Sequence, residues 1–218
     1  MARAFQHALR TFVAPSLPNS PIEYNQRQFD KFNNVLRLYF NQIDATVGSL
    51  IGGTGGSYLS YPYAAVQRTT DKTFTVNTAT QITFNQNDYL NGCTNDGTDG
   101  IHVEYAGIYN YQYSVQWANT DTQIHTAYIW LRKNGVDVPG TASKFDITAR
   151  HGGVDGYVIS ACYFYIDLAP GDRAELWAAV DNVGVYAEAY AAQTSPFAMP
   201  AIPSVVATLS YVSTPPAL

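Results

Sequence analysis

The strongest constraint on the fold of this chain is a stretch in which large and polar side chains alternate strictly. The stretch spans residues 107–117 and reads GIYNYQYSVQW, with Tyr, Val or Trp at every second position from Tyr109. Alternation with a period of two places apolar side chains on one face of a β-strand and polar side chains on the other. The stretch therefore predicts a strand that is buried on one face only.

Similar strand-like runs continue from about Tyr58 to the C-terminus, separated by turn-forming residues. The other predicted strands lie around Phe74, around Ile82, in TAYIWLRKNG, around Val136, and in GYVISACYFYIDL, RAELWAAV, VGVYAEAYAA and SVVATLSYV. At least eight strands with no helical pattern between them predict a mainly β fold, specifically an antiparallel jelly-roll sandwich.

A long helix is predicted before these strands. Residues 20–23 fit a capping box, with Ser at the N-cap, Pro at the first helical position and Glu reaching back, although a start as late as Tyr24 or Asn25 is also compatible. The pattern then runs without a breaker to Gly52 and Gly53, which favour a C-terminal stop.

Apolar residues recur along this helix at alternating spacings of three and four. They are Phe29, Phe32, Leu36, Tyr39, Ile43, Thr46 and Leu50. This heptad spacing predicts a stalk that associates with copies of itself. Val35, Leu38, Phe40 and Val47 widen the apolar stripe, so packing of the helix against its own domain is an open alternative.

Segments without regular structure flank the predicted helix. Pro15 and Pro18 forbid a continuous helix near the N-terminus and indicate an extended arm, either disordered or laid along a partner. The run GGTGG indicates a flexible hinge. The predicted organisation is an anchoring arm at 1–19, a helical stalk at 20–52, a glycine-rich hinge and linker at 53–69, and a jelly-roll head at 70–218.

The charge balance excludes some partners. The chain has 12 Lys and Arg against 17 Asp and Glu, a net charge of -5 without a basic stripe, so we expect no nucleic-acid binding. No apolar run approaches the roughly 20 residues that cross a bilayer, and MARAFQHALR lacks the apolar core of a secretory signal. We expect synthesis in the cytoplasm without membrane insertion. The 17 tyrosines suit an assembly interface.

The sequence shows no pattern typical of catalysis, and we expect a protein that is not an enzyme and binds no cofactor or metal. The four histidines, His7, His102, His125 and His151, are dispersed. Residues 95–99 carry oxygen ligands at alternate positions but lack the rest of a calcium loop, which indicates a surface turn. Cys93 and Cys162 are interpreted as two unpaired thiols, with one disulfide as the alternative.

Four residues are candidates for a receptor-facing surface. Asn134 and Gly135 predict a type I′ turn at the tip of a hairpin. Tyr186 and Tyr190 are expected in loops, where aromatic rings beside polar groups suit stacking on sugars. The strand aromatics from Tyr109 to Trp117 are instead assigned to the core and a subunit interface.

Three motifs in this order resemble the heads of the complement C1q and tumour-necrosis-factor superfamily. They are Gly107-Ile108-Tyr109, Lys133-Asn134-Gly135 and the turn from Leu168 to Asp172. The resemblance covers roughly residues 70–212. It implies a C1q/TNF-like jelly roll that forms a homotrimer, with aromatic residues about the threefold axis.

The segment PNSPIEYNQRQFDKFNNVLRLYFNQID resembles N-terminal parts of structural proteins from short-tailed phages of cyanobacteria. That resemblance implies a virion protein whose arm and helix contact other tail or capsid proteins and whose head is displayed on the virion surface. A tail fibre or spike that binds a host surface glycan is the favoured function. Capsid decoration is the first alternative, and a carbohydrate-active depolymerase is the second.

Overall fold

A computed structural model describes residues 15–17, 19, 23, 25–51 and 61–213, with side chains in the helix described as far as Val47. The chain divides into two compact units, residues 1–60 and 61–218. The first unit contains the helix α1 (Gln26–Ile51). No helix within the described residues is both long and apolar enough to span a bilayer.

The helix begins later than the capping box predicts. Asn25 is the N-cap, because its backbone carbonyl accepts from the amides of Gln28 and Phe29 at 3.0 Å and its side-chain oxygen accepts from the Gln28 amide at 3.3 Å. Of the predicted box, only Glu23 is described. The helix ends at Ile51, as the two following glycines predict.

The second unit is built from strands. In chain order within residues 61–213 they are β1 (Tyr63–Arg68), β2 (Thr80–Ile82), β3 (Gln86–Asn91), β4 (Cys93–Thr94), β5 (Ile101–Val103), β6 (Gly107–Asn119), β7 (His125–Lys133), β8 (Val136–Asp137), β9 (Ser143–Ile147), β10 (Gly156–Leu168), β11 (Arg173–Val180), β12 (Val185–Ala187) and β13 (Val205–Ser213). The prediction of a mainly β fold with one helix is confirmed.

The strands form two antiparallel sheets. The first sheet has the order β10-β6-β13-β1-β3, with β12 paired to one end of β6. The second sheet has the order β4-β5-β11-β7-β8, with β2 paired to β11 and β9 paired to β7. Neighbouring strands in both sheets run antiparallel. Alternate residues of a strand therefore face the core on one side of the sheet and the outside on the other.

Both sheets contribute to one hydrophobic core. The alternating residues of β6 from Tyr109 to Trp117 all lie inside it, and the inward residues of β7 and β11 complete it from the second sheet. The Trp117 indole N–H donates to Ser160 Oγ at 2.8 Å, which satisfies the polar atom of the largest core side chain. The assignment of the β6 aromatics to the core is therefore confirmed.

Two local assignments from the sequence differ from the structure. Strand β1 lies within the segment predicted as hinge and linker. It is part of the first sheet instead, because it pairs with β13 and β3 and buries Ala64 and Val66. The predicted strand around Phe74 is wrong, because Phe74 is buried but belongs to no strand. Its ring instead packs against Trp117 from an irregular segment, with centroids 5.5 Å apart.

Candidate interaction surfaces

The hairpin turn between β7 and β8 has the predicted conformation. Asn134 and Gly135 have φ angles of 52° and 81°, the positive values that a type I′ turn requires at both central positions. The Asn134 side chain donates to Asp172 Oδ1 at 2.7 Å and accepts from the Arg173 amide at 2.9 Å. The Gly135 amide donates to the buried carboxylate of Glu175 at 2.6 Å. These bonds tie the turn to β11 and to the connection that precedes it, so both residues stabilise the scaffold.

Tyr186 and Tyr190 are half-buried rather than displayed on open loops. Tyr186 lies in β12, and its hydroxyl donates to Glu188 Oε1 at 3.0 Å. The Tyr190 ring lies 6.3 Å from the ring of Tyr157. Burial, together with Glu188, raises the pKa of both phenols above the ordinary value. The structure therefore brings the two candidate tyrosines together around one carboxylate.

The helix keeps an apolar stripe. Phe32, Leu36, Tyr39 and Ile43 are half-buried, whereas Phe29 is 54 % exposed. The side chain of Leu50, the last residue of the predicted seam, lies outside the described residues. Leu38 and Phe40 are exposed on the flanks of the stripe. The helix thus presents more apolar surface than its own unit covers.

The outward face of the first sheet carries two rows of uncharged residues across five strands. The strand registers align Tyr163, Gln112, Thr208, Ala65 and Tyr89 in one row and Tyr165, Asn110, Ser210, Tyr63 and Asn91 in the other. We call these ten residues the tyrosine-edged face. Neighbouring strands are about 4.8 Å apart, so each row is roughly 19 Å wide.

The strand β10 forms one edge of this face and carries several exposed apolar side chains. Tyr163 and Tyr165 are 66 % and 61 % exposed, and Ile159 is 66 % exposed on the same side of the strand. On the opposite side, Cys162 and Phe164 are only partly covered by the core. Exposed apolar atoms therefore lie on both sides of β10.

Within the strand itself, the free edge of β10 has no bulge, charge or proline of the kind that prevents strands from pairing with other chains. The strand pairs with β6 over thirteen residues without a bulge, and no charged residue or proline lies between Tyr157 and Ile166. Soluble proteins usually protect such an edge with charges, prolines or a covering segment. The edge and the tyrosine-edged face therefore form one surface suited to burial.

Asn110 lies within this surface and has an unsatisfied polar atom. Its side-chain oxygen is shielded from solvent and accepts no hydrogen bond from the described residues. A buried acceptor without a donor costs about 1–3 kcal/mol. A donor from a neighbouring molecule at this face would remove that cost.

The outward face of the second sheet has a different chemistry. It carries ion pairs between Arg132 and Asp137 and between Lys144 and Asp146. Charged residues are depleted at the centres of protein interfaces and common on surfaces that stay in water. The first sheet is therefore the better candidate for contact with another protein chain.

Two of the described histidines contact carboxylates, whereas His151 is exposed. His125 lies 3.4 Å and 3.3 Å from carboxylate oxygens of Asp121 and Asp181, and His102 lies 2.7 Å from Asp99. Cys93 and Cys162 are unpaired, as predicted, and burial raises the pKa of the Cys93 thiol to about 12, which leaves it unreactive.

The loop at residues 95–99 uses its oxygens within the protein. Asp96 accepts from the amide and hydroxyl of Thr98, and Asp99 accepts from His102 and Arg173. Among the described residues, no three His, Cys, Asp or Glu side chains are grouped closely enough to hold a metal ion.

No model of a protein family matches the chain, and no curated protein matches its sequence. The function is therefore argued from the surfaces described above.

Proposed function

We propose that this chain is a non-enzymatic, homotrimeric structural protein of a phage virion. Its N-terminal part attaches to the particle, and its head is a C1q/TNF-like jelly roll displayed on the outside. The strand order of the first sheet supports the jelly roll, since β10, β6, β13 and β1 alternate between early and late parts of the chain.

The single observation that carries this proposal is the tyrosine-edged face with the unprotected edge of β10. Tyrosines at both sides of a charge-free polar centre have the composition of a protein interface. A lone chain would leave this surface in water, where β10 is a template for aggregation. Packing β10 of one copy against the tyrosine-edged face of the next would cover both. The threefold symmetry itself follows from the resemblance.

The two-unit organisation supports a division between attachment and display. The helix exposes apolar side chains such as Leu38 and Phe40, which suits packing against other helices or other virion proteins. The head in turn has a second, charged face that would remain in water after assembly. In a tail fibre or spike, the helix would attach the chain to the particle and the exposed face of the head would contact a host surface glycan.

The test is the location of this chain in purified particles. Antibodies raised against the head, used with gold labelling and electron microscopy, should decorate the tail of intact virions. Labelling on the shell would instead support capsid decoration as the function. Absence of the chain from the virion would overturn the proposal.

A further inference from the structure

The outward face of the second sheet contains two of the three tryptophans. Trp130 on β7 and Trp177 on β11 are directly opposite each other in the strand register and are both half-buried. Tyr128 lies two residues before Trp130 on the same face and is 45 % exposed. We call Tyr128, Trp130, Arg132 and Trp177 the tryptophan face.

Both indole rings are fixed in orientation by carboxylates. The Trp130 N–H donates to Asp137 Oδ1 and the Trp177 N–H donates to Glu175 Oε2, each at 2.7 Å. Glu175 is itself 1 % exposed and accepts from Arg173 and from the Gly135 amide. Rings held in this way lose little conformational entropy when a ligand stacks on them.

Arg132 adds polar groups beside the rings. Its guanidinium carbon lies 3.9 Å above the centre of Trp177, and its Nε pairs with Asp137. None of the hydrogen bonds within residues 61–213 uses the two terminal nitrogens of Arg132. Asp137 is 65 % exposed, with one of its two oxygens engaged. The face therefore offers free donors and a free acceptor next to aromatic surface.

A small residue leaves room among the rings. Ala179 is opposite Tyr128 in the register and lies two residues after Trp177 on the same strand. It stays partly exposed, so the three rings do not close over it. Adjacent strands are about 4.8 Å apart, so the rings around Ala179 are close enough together to contact one sugar residue.

We propose that the tryptophan face binds an uncharged sugar residue of a surface glycan, with the sugar stacked on Trp130 and Tyr128 and its hydroxyls bound by Arg132 and Asp137. The charges of Arg132 and Asp137 cancel, which favours an uncharged ligand over an acidic or basic one. A second copy of the chain is a poorer occupant, because it would bury this ion pair without new partners. The inference rests on the proposed receptor-binding function and names its site and ligand class.

The experiment uses the full chain labelled with 5-fluorotryptophan and the methyl glycosides of glucose, galactose, mannose and rhamnose as probes. Fluorine resonances of Trp130 and Trp177 should shift saturably with at least one glycoside. The resonance of Trp117, which is buried and bonded to Ser160, should not move and serves as the internal control.

Variants decide whether the shift reports this site. Tyr128→Ala should weaken binding by about tenfold or more, the usual cost of losing an aromatic anchor. Phe197→Ala, which removes an exposed aromatic ring outside the strands and outside both named faces, should bind the glycoside as the native chain does. No shift with any of the four glycosides, or equal affinity in the Tyr128→Ala variant, would overturn the inference.

Failure of this inference is distinct from failure of the proposed function. One outcome is that labelling finds the chain on virions while particles that carry Tyr128→Ala bind cells as strongly as native particles. In that case the virion function stands and the tryptophan face is not its receptor site. If the glycoside binds as expected but the chain is absent from virions, the sugar site stands and the virion function fails.

Discussion

Asn134 donates a hydrogen bond of 2.7 Å to Asp172 and so joins the tip of the β7-β8 hairpin to the turn that connects β10 of the first sheet with β11 of the second. Asp172 also lies 2.7 Å from Lys133 Nζ. The Lys-Asn-Gly turn and the Gly-Asp turn, which are remote in sequence, therefore form one structural unit. The two motifs occur together for a physical reason, because Lys133 and Asn134 of the first turn bind Asp172 of the second.

The first prediction concerns the backbone and side chain of Asn134. Asn134→Ala should lower the free energy of unfolding by about 1–3 kcal/mol, because alanine disfavours the positive φ and removes two hydrogen bonds. Asn134→Gly keeps the φ angle and should cost less. Urea unfolding followed by tryptophan fluorescence measures both. Equal stability of the alanine variant and the native chain would show that Asn134 does not anchor the hairpin to the β10-β11 connection.

The second prediction concerns acid stability and Asp172. Burial alone would raise its pKa, but hydrogen bonds from Lys133, the Ala169 amide and Asn134 bring the pKa below its ordinary value. The ionised form is thus stabilised by folding. This contribution is present above the unfolded pKa of about 3.9 and is lost as the pH falls through the lower folded pKa.

The comparison for Asp172 is with the variant Asp172→Asn. The native head should lose stability on acidification below about pH 4, and the variant should lose less over the same range because it has no carboxylate to protonate at this position. Urea midpoints at a series of pH values measure the two slopes. Parallel slopes would contradict the assigned role.

The third prediction uses two tyrosines of β6 as a matched pair. The Tyr111 hydroxyl is buried and has no partner among the described residues, whereas the Tyr109 hydroxyl donates to the Tyr105 carbonyl at 2.8 Å. Tyr111→Phe should leave stability unchanged or raise it slightly, and Tyr109→Phe should cost about 1 kcal/mol. Thermal unfolding of the two variants checks the difference. The reverse order would mean that Tyr111 has a partner, such as a bound water.

The fourth prediction concerns the helix. Replacing Leu36 and Ile43 together with Asp places charges on the half-buried stripe and should weaken self-association of the stalk. Asn33→Asp with Asn34→Asp adds the same charge at exposed positions and should leave association unchanged. Light scattering of dilution series measures both. An unchanged mass for the first variant at every concentration would assign oligomerisation to the head alone.

The sequence predicted the long strands well, because their burial alternates. β6 and β11 bury one face, and the Asn-Gly pair sets the turn after β7. It did not predict β3, whose residues are mostly polar and exposed at a sheet edge. Strand β1 follows a glycine-rich run, and only its pairing with β13 shows that it belongs to the head.

The interaction surfaces were less predictable, because they depend on which strands become neighbours. Nothing in the local sequence aligns Tyr163 with Gln112 and Thr208, or places Trp130 opposite Trp177. Tyr186 and Tyr190 were expected in loops, although the run VGVYAEAYAA that contains them also predicted a strand. The pairing of β12 with β6 instead holds Tyr186 in the sheet, half-buried.

The most direct test of the account is the native mass of the full chain beside that of the variant Tyr163→Asp with Tyr165→Asp. The native chain should show three times its 23.9 kDa mass, and the charged variant should dissociate because carboxylates would lie in the buried interface. Val183→Asp, at an exposed position outside the strands, should remain a trimer. A native chain that is monomeric at micromolar concentration, or a charged variant that stays trimeric, would contradict assembly through the tyrosine-edged face.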